Sequence, residues 1–257
     1  MMQLRKWPLG FFCLLLALSV AACASGDLTR KKNRAKASQE LGEAYMNQQA
    51  YTRALREFLK AEQLYAKDPY LQNDLGLAYM AKKEYEKAIS HFKIALKLNP
   101  DFSPARNNLG AAYMENENWD KAIACFKEVK NDLLYATPHF SLTNLGFIHS
   151  HKGNYEKALG YYEEALELMP GFPKALHGIG QVYLKQGRYE KAVRVLEKAS
   201  QEAPEQVRIL VDLGKAYRNV HEYRKAYTTF SKAAAMGKNT KWGETAKELA
   251  EEVWRFQ

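Results

Sequence analysis

Three histidines, His139, His149 and His151, lie close together in the sequence, and histidine is a common metal ligand. His149 and His151 are two residues apart, and on a helix this spacing turns them toward different faces, which does not suit a shared metal ion. The sequence also has no phosphate-binding glycine loop, no paired cysteines at metal-ligand spacing, and no Ser, His and Asp grouping outside its repeats. We therefore expect a protein that is not an enzyme and binds no cofactor or metal.

Cys23 stands at the end of a segment typical of an export signal. Arg5 and Lys6 precede an apolar run, residues 9–20, which is shorter than the roughly 20 residues that a membrane-spanning helix needs. Residues 20–23, Val-Ala-Ala-Cys, resemble the bacterial lipobox, in which the cysteine receives diacylglycerol. The resemblance implies a protein that is anchored to a membrane by lipid at Cys23.

The residues around Cys23 indicate where the protein would reside. Ala24 follows in place of Asp, which in lipoproteins of the enterobacterial type implies the outer membrane, here its periplasmic face. The alternative is an ordinary signal peptide cleaved near Ala24 with an incidental cysteine. We interpret residues 1–22 as the signal peptide and residues 23–34, which are rich in basic side chains, as a lipidated flexible tether.

The net charge indicates the kind of partner. The formal charge of the chain is +9, and cleavage before Cys23 removes Arg5 and Lys6 and no acid, which leaves +7. This balance favours an acidic protein or anionic lipid over nucleic acid, because the basic residues are spread among Glu and Asp. Cys125 would then have no second cysteine in the chain with which to form a disulfide, so the fold cannot depend on disulfides.

A glycine preceded by an apolar residue recurs six times, at spacings of 34, 34, 36, 34 and 34 residues. These glycines are Gly42, Gly76, Gly110, Gly146, Gly180 and Gly214. An aromatic residue follows three positions later except at His149, an alanine follows twelve positions later, and a large apolar or aromatic residue follows sixteen positions later. These residues resemble the tetratricopeptide repeat, which implies an all-α, right-handed superhelical solenoid. The six repeats are residues 35–68, 69–102, 103–138, 139–172, 173–206 and 207–238.

Helix energetics agree with this reading. Glycine inside a helix costs roughly 1 kcal/mol relative to alanine, so its regular return predicts a packing contact that only glycine permits. Residues 239–257 carry apolar side chains at helical spacing and predict a capping helix that shields the last repeat. We expect its Trp242 and Trp254 to have structural roles.

In the tetratricopeptide architecture, the first helix of each repeat lines a concave groove. Its apolar part would consist of Tyr70, Asn73, Leu77, Met80, Asn107, Ala111, Met114, Phe140, Thr143 and Phe147. Its basic part would consist of Lys174, His177, Gln181, Lys185, Arg208, Lys215 and Arg218. Such a groove predicts a protein segment with apolar side chains at one end and carboxylates at the other. Binding through the convex face is the alternative.

A lengthened connection between the third and fourth repeats narrows the family. The two extra residues fall in Asn131–His139, where Tyr135 and Pro138 lead into the next helix. Together with six repeats and the lipobox, this resembles the type IV pilus pilotin family of outer-membrane lipoproteins. The resemblance implies binding to the pilus secretin and a role in its localisation or multimerisation. A general periplasmic scaffold for cell-wall enzymes or polysaccharide export is the alternative.

Overall fold

The computed structural model describes residues 9–130, 132 and 137–256, except for the side chains of residues 9–25. Thirteen α-helices and no strands occur in these ranges, as expected for the all-α class. Their bounds are α1 Leu9–Asn47, α2 Tyr51–Leu64, α3 Pro69–Ala81, α4 Tyr85–Leu98, α5 Ser103–Glu115, α6 Trp119–Lys130, α7 Pro138–His151, α8 Tyr155–Leu168, α9 Pro173–Lys185, α10 Tyr189–Glu202, α11 Val207–Asn219, α12 Tyr223–Met236 and α13 Lys241–Trp254.

The helices form two units, Met1–Asn116 and Glu117–Gln257. We call them unit 1, which contains α1 to α5, and unit 2, which contains α6 to α13. Odd-numbered helices up to α11 are the first helices of the repeats, and even-numbered helices are the second helices. Within each unit, successive helices pack against one another, and adjacent first helices also touch.

The recurring glycines make the contact that their spacing predicts. In unit 1, a Cβ on Gly76 would fall on the ring of Phe92, and in unit 2 a Cβ on Gly214 would fall on the ring of Phe230. Both rings are fully buried. Three further pairs repeat the arrangement: Gly42 with Phe58, Gly146 with Tyr162, and Gly180 with Leu196. The glycine on the first helix therefore provides the space that a large side chain of the second helix fills.

The turn between the two helices of a repeat has its own regularity. A residue with positive φ follows each first helix, and these residues are Gln49, Lys83, Glu117, Gly153, Gly187 and His221. Prolines at 100, 170 and 204 lie two residues beyond the ends of α4, α8 and α10. Pro138 begins α7, as expected for a residue whose missing N–H is not needed there. These residues separate the helices at fixed places and so keep the repeats in register.

Residues 26–34, which belong to the predicted tether, are helical in the structure and form part of α1. Leu28, Arg30 and Lys31 belong to residue types that form helices readily, and no proline interrupts the segment. Nζ of Lys31 also lies 2.7 Å from a carboxylate oxygen of Asp27, one helical turn away. The helix thus begins before the first repeat.

Residues 1–8 of the predicted signal peptide and the side chains of residues 9–25, Cys23 among them, lie outside what the structure describes. The described part of the chain has no helix that is both long enough and apolar enough to cross a membrane. Most of the connection before α7, residues 131 and 133–136, is also outside the described ranges.

Helix α13 packs on α12 as a cap, and the residues that it buries are small. The buried residues of α13 are Gly243, Ala246, Ala250 and Val253. A Cβ on Gly243 would overlap the carbonyl group of Gly237, so the helices approach too closely for large side chains. Trp242 and Trp254 are 37% and 59% exposed, and the ring of Trp254 lies against that of Tyr227 in α12 at a centroid distance of 5.1 Å.

Candidate protein-binding surface

A ladder of polar side chains connects neighbouring first helices within each unit. In unit 1, Nε2 of Gln39 donates to Oδ2 of Asp74 at 2.6 Å, and Nδ2 of Asn108 donates to Oδ1 of Asn73 at 2.9 Å. In unit 2, Nε2 of His177 lies 2.8 Å from Oδ2 of Asp212. Each bond joins residues 35 positions apart, so the ladder ties adjacent repeats together.

The ladder changes the role of one predicted groove residue. Asn73 is only 8% exposed and its Oδ1 accepts from Asn108, so its side chain belongs to the ladder and is not presented to a peptide. Asn107, the other asparagine expected to bind a peptide backbone, is half-buried on α5. In unit 1, the buried Asn73 therefore links two repeats and does not line a peptide-binding surface.

The predicted apolar residues of unit 1 are more accessible. Tyr70 is 59% exposed, and its ring packs edge to face on Phe102 at a centroid distance of 4.9 Å. Leu77, Met80 and Met114 are half-buried. Tyr70 also borders a cavity of about 680 Å³ between α1 and the start of α3, which repeat spacing alone did not reveal.

Asp74 has an unusual electrostatic environment. Burial raises the pKa of its carboxyl group to about 7, and the nearby Glu43 and Asp68 add to this, although the hydrogen bond from Gln39 opposes it. The folded state therefore binds a proton at Asp74 more tightly than the unfolded chain does. Its contribution to stability decreases as the pH rises from about 4 to about 7.

We expect Asp74→Asn to stabilise unit 1 by about 1–3 kcal/mol at pH 8, because the amide keeps an acceptor for Gln39 without a buried charge. Below about pH 4 the gain should disappear, since Asp74 is protonated in both states. Chemical denaturation at pH 3 and pH 8 measures the difference. Glu43→Gln, on the exposed side of α1, should raise the free energy of unfolding much less at pH 8. An equal rise would refute the conclusion that the buried charge of Asp74 destabilises unit 1.

In unit 2, the predicted apolar residues divide into two exposed rings and one buried hydroxyl. Phe140 and Phe147 are 37% and 43% exposed and lie seven residues apart on α7, so they share a face. Thr143 between them is buried and donates to the carbonyl oxygen of His139 at 2.7 Å. The ring of His151, which stacks on Trp119 at 4.9 Å, extends the aromatic face beyond Phe147.

The predicted basic part of the groove contains a buried acid, Asp212. Its Oδ2 also accepts from Nε2 of Gln181 at 3.0 Å, and its Oδ1 lies 3.0 Å from Nζ of Lys215. Burial alone would raise the pKa of Asp212, but the hydrogen bond from His177, the charge of Lys215 and the bond from Gln181 together lower it to about 2. His177, Gln181 and Lys215 are therefore engaged with this carboxylate.

The remaining cations divide into paired and unpaired groups. Arg218 forms an ion pair with Glu252 of α13 at 3.2 Å. Lys174, Lys185 and Arg208 are exposed and have no carboxylate partner among the described residues. The guanidinium of Arg208 lies 5.0 Å from the ring centre of Trp242. The basic surface is thus smaller than the count of cations suggested.

Sequence reasoning missed Asp212, although a signal for it existed. A polar residue stands two positions before the repeat glycine at Asp74, Asn108, Asn144 and Asp212. Gly178 is the exception in unit 2, because a Cβ there would overlap the ring of Tyr162. A polar residue recurring on a helix face that contacts the preceding repeat indicates a hydrogen bond between repeats.

His149 takes the place of the recurring aromatic in the fourth repeat. Its ring stacks on Tyr161 at 5.4 Å, and its buried Nδ1 has no hydrogen-bond partner among the described residues. Burial lowers the pKa of His149, and Lys157, Lys127 and Lys152 lower it further. The described residues contain no group of three His, Cys, Asp or Glu side chains that could hold a metal ion.

Comparison with protein families gives a consistent result along the repeats. Family models described as tetratricopeptide repeat match residues 101–171, 139–201 and 183–242, and one described as TPR repeat matches residues 76–117. No curated protein matches the sequence.

Several solved structures are similar over most of this chain. PilW, described as a widely conserved type IV pilus biogenesis factor, is 22% identical with a TM-score of 0.74, and the match covers 83% of this chain and 98% of PilW. PilF of Pseudomonas aeruginosa is 17% identical with a TM-score of 0.70, over 85% of this chain and 98% of PilF. A tetratricopeptide repeat protein of Parabacteroides merdae is 22% identical with a TM-score of 0.67, over 93% of this chain and 97% of that protein. At these identities the similarity establishes the fold.

Proposed function

Because the chain belongs to the tetratricopeptide-repeat family and is a protein-binding scaffold, we propose that it acts in type IV pilus biogenesis as a lipid-anchored outer-membrane protein. In this role its repeats bind the pilus secretin and assist its localisation or multimerisation. The observation that carries the proposal is the similarity to PilW and PilF, which covers 98% of each of those proteins. Two pilus proteins matched from end to end support a shared role more than a match to a few repeats would.

The surfaces of the two units suit the binding of another protein. Unit 1 offers the exposed ring of Tyr70, and unit 2 offers Phe140, Phe147 and the unpaired cations Lys174 and Arg208. Exposed aromatic rings and cations beside them are typical of protein interfaces. The lipid at Cys23 would hold these surfaces at the membrane in which the secretin assembles.

Deletion of the gene tests the proposal. We expect the heat-resistant secretin multimers, seen on gels of unboiled samples, to be lost or strongly reduced together with surface pili. Complementation with the full chain should restore both. Normal multimers and normal piliation in the deletion strain would exclude this function.

Complementation with Cys23→Ser tests the anchor separately. The variant should fold normally, because Cys23 lies outside the repeats, yet it should move from the membrane fraction to the soluble fraction. Cys125→Ser is the matched control, since Cys125 lies within α6 and should not affect fractionation. Membrane retention of Cys23→Ser would contradict lipidation at this residue.

A further inference from the structure

One edge of unit 2 carries four exposed side chains that recur at intervals of 34 residues. They are Phe140, Lys174, Arg208 and Trp242, each at the second or third residue of its helix. Their helices α7, α9, α11 and α13 are neighbours in that order. We call these four side chains the unit 2 edge. Along it, an aromatic ring stands at each end and the two cations stand between them.

The cations of the unit 2 edge are held by the rings beside them. Nζ of Lys174 lies 5.7 Å from the centre of the Phe140 ring, and the guanidinium of Arg208 lies 5.0 Å from that of Trp242. Neither cation has a carboxylate partner among the described residues, whereas the nearby Lys215 and Arg218 are paired with Asp212 and Glu252. Contact with a ring orients a cation but leaves its charge available to an anion.

The distance between neighbouring helices sets the interval between the ligand residues that contact the unit 2 edge. Packed helices lie about 8–10 Å apart, and a peptide in the polyproline II conformation advances about 3.1 Å per residue with three residues per turn. The distance from one helix of the unit 2 edge to the next therefore corresponds to about three residues of such a peptide, and side chains three residues apart lie on the same face of it. Two acidic residues three positions apart would meet Lys174 and Arg208, and apolar residues three positions further out would meet Phe140 and Trp242.

We propose that the unit 2 edge binds an extended peptide segment in which two acidic residues, three positions apart, are flanked at the same interval by aromatic or large apolar residues. The inference rests on the protein-binding role proposed above and specifies the class of segment that the role requires. A peptide fits better than a polyanion such as single-stranded RNA. The rings at the ends of the edge suit apolar side chains, whereas a longer polyanion needs a continuous row of cations for its phosphates.

A labelled peptide provides the test. The probe is rhodamine-labelled Phe-Gly-Ser-Glu-Gly-Ser-Glu-Gly-Ser-Phe, and fluorescence anisotropy measures its binding to the full chain in detergent at low salt. We expect saturable binding that weakens about tenfold or more when both glutamates are replaced by Gln, and similarly in the variant Lys174→Glu with Arg208→Glu. Both lysine and arginine are exposed, so the melting temperature of the variant should stay close to that of the wild type.

The control variant is Lys198→Glu with Lys232→Glu. These exposed lysines are also 34 residues apart, but they lie on the second helices α10 and α12, so the variant has the same net charge without altering the edge. Its affinity should stay within about twofold of the wild type. An equal loss in both variants, equal binding of the Gln peptide, no saturable binding, or preferential binding of a single-stranded RNA oligonucleotide would each overturn the inference.

The inference and the pilus function fail separately. If Lys174→Glu with Arg208→Glu keeps its affinity for the peptide, the inference fails, whatever the deletion strain shows. If the deletion strain assembles normal secretin and pili, the pilus function fails, while the affinity ratios for the peptide remain valid.

Discussion

Replacing Phe92 with Ala is expected to lower the free energy of unfolding of unit 1 by about 3–5 kcal/mol. The Phe92 ring is fully buried, and it lies on the backbone of α3 at Gly76, which has no side chain that could move into the vacated space. The variant therefore loses the burial of the ring and keeps most of the cavity. Urea denaturation followed by helical circular dichroism measures the loss, and hydrogen exchange of α3 and α4 shows whether it is located in unit 1.

Tyr70→Ala is the control in the same unit, because its ring is mostly exposed. It should cost less than about 1 kcal/mol. The reciprocal change, Gly76→Ala, should cost about 1–3 kcal/mol by forcing a methyl group against the ring, and adding Phe92→Leu should recover part of this loss. A similar loss in Phe92→Ala and Tyr70→Ala, or strict additivity between positions 76 and 92, would show that the two residues do not form the contact described here.

The pairing of Gly76 with Phe92 explains why so much of the fold could be predicted from the sequence. The requirement is steric, since any side chain at Gly76 would occupy the volume of the ring. A steric requirement of this kind limits the residue type strongly, so it appears in the sequence as a fixed spacing. The repeat boundaries and the all-α class followed from that spacing.

For the capping helix, the sequence predicted the helix but not how closely it packs on its neighbour. Helical periodicity predicted a helix over residues 241–256, and the structure contains α13 there. Periodicity gives the apolar face but not the distance to the neighbouring helix, and the close approach at Gly237 and Gly243 leaves room only for small residues. Trp254 packs against Tyr227 of α12, and the exposed Trp242 is part of the unit 2 edge.

The electrostatics of the site were less predictable, for a related reason. Counting cations on the first helices placed Lys174, Lys215 and Arg208 in one basic surface. A sequence shows which face a cation occupies but not the carboxylate across the interface, and Asp212 on the same face pairs with Lys215. Charge at a surface depends on these partners as much as on the number of basic residues.

Asp74 and Asp212 illustrate how strongly the partners matter. Each stands two positions before its repeat glycine and bonds to the preceding first helix. Asp74 has a neutral amide as its partner and other carboxyl groups nearby, so burial raises its pKa to about 7. Burial acts in the same direction on Asp212, but His177 and Lys215 outweigh it and lower the pKa to about 2. Equivalent positions therefore impose opposite pH dependence on the two units.

We expect Asp212→Ala to lower the free energy of unfolding of unit 2 by about 2–3 kcal/mol at pH 7. The substitution removes the only carboxylate within 3 Å that the described structure gives to His177, Gln181 and Lys215. The effect stays below that of a fully buried ion pair, because Lys215 is partly exposed and can turn toward water. Chemical denaturation with hydrogen exchange of α9 and α11 measures the loss in unit 2.

The pH dependence separates the charge of Asp212 from its packing. Its pKa is lower in the folded state than in the unfolded chain, so the stability it contributes is complete above about pH 4 and is lost as the pH falls toward 2. The shift from 3.8 to about 2 corresponds to about 2 kcal/mol, and most of the difference between wild type and Asp212→Ala should therefore disappear by pH 2. Asp120→Ala, which removes an exposed carboxylate paired with Lys152, should cost less than about 0.5 kcal/mol at either pH. A loss in Asp212→Ala that is equally large at pH 7 and pH 2 would mean that Asp212 stabilises unit 2 by its volume and not by its charge.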